Sequence, residues 1–199
     1  MDEKLTSREK WDITIQTGLQ LVPYVGGALA TSYFSVKQEK RFKRLETFYK
    51  ELSEQISGTE SHLPSADVHD KESLIALIER INDEIERESS TKKREYFKNF
   101  FINILRKPTL DSNYDERRIF LDALANLTVL EFEVLLVYSE YKQTDTEDVT
   151  EKARIAQASG RLEMYGFLEG SYMSFLGGTT VKTLTITQLG INFINYCKE

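Results

Sequence analysis

Two histidines and one cysteine are the side chains best suited to chemistry. His62 and His69 stand seven apart in the polar stretch "SGTESHLPSADVHD", close to Asp67 and Asp70. Imidazoles beside carboxylates can hold a metal ion. However, this spacing matches no established ligand pattern, and histidines in a polar connection are ordinarily solvated. Cys197 lies near a C-terminal helix end with no evident cationic partner to make it a nucleophile, so a buried, inert thiol is expected. The glycine pairs Gly26-Gly27 and Gly177-Gly178 lack the lysine and the preceding strand of a phosphate loop. These residues favour a protein that is not an enzyme, with no metal and no cofactor.

Three groups of cations suggest binding instead. Lys37, Lys40, Arg41, Lys43 and Arg44 directly follow a charge-free run from Ile13 to Val36. They suit contact with anionic lipid, phosphate or a partner. The plainer reading is the solvated face of a long helix, interleaved with Glu39 and Glu46. Lys92, Lys93, Arg94 and Lys98 surround Tyr96 and Phe97, a mixture that can stack on single-stranded bases. Yet Tyr96, Phe97, Phe100 and Phe101 have core spacing, so these cations are expected to cover a helix start. Lys152, Arg154 and Arg161 on one helix, with Lys182 on a hairpin, are the candidate nucleic-acid contacts. Glu147, Asp148, Glu151, Glu163 and Glu169 surround them and favour protein contact over DNA.

The elements that must position these groups follow from periodicity. Phe42, Leu45, Tyr49, Leu52 and Ile56 alternate spacings of three and four, one apolar seam on a helix predicted from about Gly27 to Ile56. Leu74, Leu77, Ile78, Ile81 and Ile85 form the next stripe. Ser90 is a plausible N-cap for an aromatic helix, and Pro108 closes that helix. Phe120, Leu121, Leu124 and Leu127 mark another, and Thr128 with Glu131 reads as a capping box. The last third changes character. A helix ends near Gly166, β-branched and aromatic residues flank Gly177-Gly178 as in a hairpin, and Thr187 caps a final helix. The expected fold is mainly α. An N-terminal helical hairpin and bundle occupy 1–110, and a winged-helix-like region with a β-hairpin occupies 111–199.

The run "GLQLVPYVGGALATSYFSV" is long enough to cross a bilayer, but its polar residues and its Pro23–Gly26–Gly27 break argue against a single span. A buried helical hairpin is the expectation. A membrane-active element carried by Leu21, Val25 and Leu29 with the adjoining cations is the alternative, and a cleaved signal is the weakest reading.

With 199 residues, 40% apolar and 29% charged, the chain can bury a real core. Its net charge of -6 discourages non-specific binding to nucleic acid or anionic lipid. One cysteine cannot form an internal disulfide, so a cytoplasmic protein, membrane-associated at most, is expected.

Three segments carry a family resemblance: "KKREYFKNFFINILRKP", "RRIFLDALANLTVLEFEVLLVY" and "GFLEG…LTITQLGINFINYCKE". The last contains Leu184, Thr185, Gly190, Phe193 and Cys197. Together they resemble the abortive-infection alpha (Abi-alpha) family of bacterial proteins. The resemblance implies a bacterial or prophage-borne protein of phage defence, with no catalytic residues to transfer. The leading expectation is therefore an interaction protein that acts through a protein partner or its own copies. A membrane-active effector and a winged-helix DNA-binding regulator are the alternatives.

Overall fold

A computed structural model describes residues 32–59, 64, 68–140, 147–174 and 180–198. The expected hairpin at 13–36 with Leu21, Val25 and Leu29, His62 with Asp67, and the Gly177-Gly178 turn fall outside these residues, although Ser32 to Val36 lie within the first described helix. The described residues form seven helices and one antiparallel hairpin. They are α1 (Ser32–Thr59), α2 (Lys71–Arg87), α3 (Thr91–Arg106), α4 (Asp111–Asn126), α5 (Val129–Ser139), α6 (Val149–Met164), β1 (Leu168–Ser174), β2 (Thr180–Ile186) and α7 (Gln188–Cys197). The protein is thus mainly α with a C-terminal hairpin, as its periodicities indicate. It divides into two compact units, residues 1–122 and 123–199, and the division falls near the end of the continuous helix α4.

In the first unit, α1, α2 and α3 pack on one another. The predicted seam of α1 is buried at Leu45, Tyr49, Leu52 and Ile56, and Phe48 joins it. Phe42 departs from the prediction and is 54% exposed. The reason is the antiparallel alignment with α2. The Tyr49 hydroxyl donates to Asn82 Oδ1 at 2.7 Å, and Arg44 Nη1 donates to the Glu86 carbonyl at 2.6 Å. Moving back along α1 from Arg44 therefore runs past the end of α2 at Arg87, and among the described residues no helix covers Phe42.

Local signals set the helix ends. Asp70 caps α2 by accepting from the Ser73 amide at 2.8 Å, and Ser90 caps α3 through the Lys93 amide. Lys107, after the last residue of α3, is extended (φ -113°, ψ 135°), the conformation a residue before proline prefers. Phe97, Phe100, Phe101, Ile104 and Leu105 of α3 are buried, while Tyr96 is half-buried. Phe48, Tyr49 and Phe101 meet edge-to-face with centroids 5.6–6.2 Å apart. Such pairs add about 0.5–1.5 kcal/mol each beyond the area they bury.

In the second unit, the predicted capping box opens α5, with Thr128 and Glu131 bonding reciprocally. Asp148 caps α6, and Gly166 reverses the chain after it with φ +72°, a left-handed conformation that favours glycine. β1 pairs with β2 from Leu168↔Ile186 to Ser174↔Thr180. Thr187 caps α7 and also bonds the Gly166 and Phe167 carbonyls, fixing α7 to the corner where α6 enters β1. Gly190 makes this approach close: a Cβ there would stand 2.5 Å from the Phe167 carbonyl oxygen. Phe167 stacks on Phe193 at 4.5 Å, and Phe132 meets Phe193 edge-on at 5.7 Å.

Candidate functional site

Of the residues that first suggested chemistry, His69 and Cys197 serve structure. Cys197 is fully buried, and burial pushes its thiol well above the usual range, away from the reactive thiolate. His69 is buried, contrary to the solvated position its polar surroundings suggest. Its Nδ1 accepts the Thr109 amide at 3.0 Å, and the Asp70 amide donates to the Thr109 carbonyl at 2.6 Å. These bonds tie the entry to α2 to the link between α3 and α4. No group of potential metal ligands occurs among the described residues.

Arg117 of α4 completes that corner, and it is 1% exposed. Its guanidinium donates to the carbonyls of Ile104 (3.4 Å), Lys107 (3.2 Å) and Pro108 (2.8 Å) and to Thr109 Oγ1. A cation is thus placed on the last carbonyls of α3, where the helix dipole is negative. Sequence reading gave Arg117 no role. A single arginine between Glu116 and Arg118 looks like surface, and only the partner carbonyls from another helix reveal its purpose.

His69 is expected to make the fold acid-sensitive. Burial, then the nearby charge of Arg117, lowers its pKa below the ordinary 6.5. Well above pH 6.5 the imidazole is neutral in both folded and unfolded chains and contributes no pH dependence. Below it the unfolded chain binds a proton that the folded one refuses, so stability falls as pH drops beneath about 6.5. Urea midpoints measured from pH 7.5 to 5 should show this decline, with a shallower slope in His69→Gln. An equal slope in both proteins would refute it.

The candidate nucleic-acid contacts divide into two kinds. Arg161 Nη1 grips Glu131 at 2.8 and 3.1 Å, and its Nη2 bonds the Asn126 carbonyl at 3.2 Å. Lys182 pairs with Glu163 at 2.7 Å, and that bond raises the lysine pKa. Lys152 and Arg154 are solvent-exposed on α6, beside exposed Glu147, Asp148 and Glu151. The Lys182 stem crosses directly over Gly170, where a Cβ would lie 2.6 Å from its Cε. A groove of about 390 Å³ between α6 and β2 includes Lys152, Lys182, Tyr138 and Gly160 in its lining.

The basic residues of the first unit regroup. Lys37 lies in α1, with its side chain outside the described set. Arg41 is half-buried. Lys40, Lys43 and Arg44 share a small concavity with Thr47 and Arg94 of α3. Sequence kept Arg94 in a separate cluster; the packing of α3 on α1 joins the two. The neighbours of Arg94 are used otherwise. Lys93 pairs with Glu88 at 3.4 Å, and Lys98 lies between Glu51 and Glu95. Burial acts to lower the Lys98 pKa, but bonds to the two carboxylates outweigh it and raise it.

Apolar side chains are exposed on the second unit. Along the hairpin Tyr172 is 70%, Met173 61% and Val181 45% exposed, and Met164 at the end of α6 is 88% exposed. Met173 and Val181 are register partners, so they share one face of the hairpin. Among the described residues no helix is long and apolar enough to cross a membrane. Compared with protein-family models, curated proteins and solved structures, the chain finds no match in any of the three.

Proposed function

We propose that this chain acts by protein contact, as a non-catalytic bacterial or prophage-borne protein of phage defence, and that its second unit is a winged-helix-like module gripping a partner protein or a second copy. The defence reading rests on the Abi-alpha resemblance of the three segments quoted above. The contact reading rests on one observation: the hairpin presents the Met173–Val181 pair to solvent, with Met164 also exposed at the end of α6. Methionines adapt their shape to a partner, and among the described residues the sheet has two strands, so each strand has an outer edge for strand addition. Protein is favoured over DNA because Arg161 and Lys182 are held by Glu131 and Glu163 within the fold. The membrane-effector alternative depends on residues 13–36, most of which lie outside the described residues, together with the adjoining cations Lys37, Lys40, Arg41, Lys43 and Arg44.

Met173→Lys tests this reading, since it replaces an exposed side chain and leaves the core intact. Cells expressing the native chain should plate at least one phage of a broad panel about tenfold or more less efficiently. The variant should restore plating while keeping its unfolding temperature. Unchanged plating of every phage by the native chain, or full protection by the variant, would overturn the proposal.

A further inference from the structure

The concavity formed by Lys40, Lys43, Arg44, Thr47 and Arg94 is a cationic feature that the contact reading leaves unused. Positions 40, 43, 44 and 47 follow helical spacing and share one face of α1. Arg94 arrives from near the start of α3, so two helices build the site. Its volume is about 230 Å³, and none of the five described residues that line it is acidic or aromatic. The surrounding protein is acidic, with net charge -6, so this local sign runs against the average.

Backbone oxygens hold its two arginines. Arg44 Nη1 donates to the Glu86 carbonyl at 2.6 Å. Arg94 Nη1 donates to the Glu88 and Ser89 carbonyls at 3.0 and 3.1 Å, and its Nη2 to Thr91 Oγ1 at 3.1 Å. Glu86 lies in the last turn of α2 and Glu88 is its C-cap, so the negative end of that helix dipole faces the guanidinium groups. This explains how the cations converge without a carboxylate in the lining. The guanidinium forks are oriented in advance, with further N–H donors left for an anion. Lys40 and Lys43 are solvent-exposed at the rim, where ammonium groups can close over a bound charge.

We propose that this concavity binds a phosphoryl group, on a soluble phosphate ester or polyphosphate or on a lipid headgroup with a terminal phosphate. Arg44 and Arg94 supply fork contacts, Thr47 a hydroxyl donor, and Lys40 and Lys43 charge. None of the described lining residues offers an aromatic wall for a base, so the recognition proposed is of the phosphate itself.

The test uses pyrophosphate as a soluble probe at constant ionic strength, with sodium chloride as the control. A saturable rise in unfolding temperature of about 3 °C is expected at ten times the dissociation constant. The double variant Lys40→Gln/Lys43→Gln should abolish it while unfolding at the native temperature without ligand, since both side chains are exposed. Flotation with phosphatidylcholine vesicles containing one-tenth phosphatidic acid identifies the source. Binding lost in the double variant supports a headgroup. A pyrophosphate response without flotation supports a soluble ligand. A response that never saturates, one equal to that in chloride, or one retained by the double variant together with unaltered flotation overturns the proposal. So does no response to either probe.

Discussion

Replacing Arg117 with methionine is expected to destabilise the first unit by about 3–5 kcal/mol. Methionine fills much of the space of the arginine stem but carries no donor. The carbonyls of Ile104, Lys107 and Pro108 and the Thr109 hydroxyl would lose the guanidinium that now binds all of them. Each hydrogen bond to a charged group contributes about 1.5–3 kcal/mol, and some of the freed oxygens would find water as the corner loosens, so the sum is not additive. Lysine should recover less than half of the loss, because one ammonium cannot span oxygens spread from Ile104 to Thr109. Urea unfolding measures both variants. The expectation also extends beyond a midpoint. Thr109 is the residue through which Arg117 and His69 meet, so the Thr109 amide should exchange much faster in Arg117→Met. A methionine variant within about 1 kcal/mol of the native protein would show that the corner holds without its cation.

The same corner shows what the sequence made legible. The stripes Leu74–Ile85 and Phe97–Leu105, the caps Ser90, Thr128 and Thr187, and the stop at Pro108 depend on neighbours within a few residues, so periodicity and cap chemistry revealed them. Phe42 failed for a reason no local pattern contains: the length of α2 decides whether that turn of α1 is covered. His69 and Arg117 failed likewise, since their partners lie 40 and up to 13 residues away. The cationic concavity was half legible. Lys40, Lys43 and Arg44 stood out as a cluster. The addition of Arg94, about 50 residues on, needed the packing of α3 against α1, and the compensation by the α2 carbonyls needed the register of α1 on α2. Lys93 and Lys98, alike in sequence to Arg94, went to ion pairs because their positions on α3 face Glu88 and Glu51.

Glu131→Ala should cost the second unit about 2–3 kcal/mol, because one carboxylate serves two purposes. It accepts the Thr128 amide at 2.7 Å and the Thr128 hydroxyl at 2.9 Å, closing the capping box of α5. It also receives Arg161 of α6 while being only 4% exposed. Glutamine separates the two. Its amide oxygen can still cap α5, but it offers Arg161 no charge, so its loss should be about half that of alanine. Arg161→Ala alone should cost less than Glu131→Ala, since Thr128 continues to hold the buried carboxylate and the arginine is partly solvated. The double variant tests whether Arg161 is bound to the fold. If Arg161 is a strut between α5 and α6, the cycle of Glu131→Ala and Arg161→Ala should show a coupling of about 1 kcal/mol or more in urea unfolding. Duplex affinity at low salt should then be no weaker in Arg161→Ala than in the native chain. A coupling near zero would mean that the pair with Glu131 adds nothing to the fold, and would return the arginine to the cations available for a phosphate backbone. Contact through the hairpin and contact through DNA thus make opposite demands on one side chain. The carboxylate that caps α5 already holds that side chain within the fold.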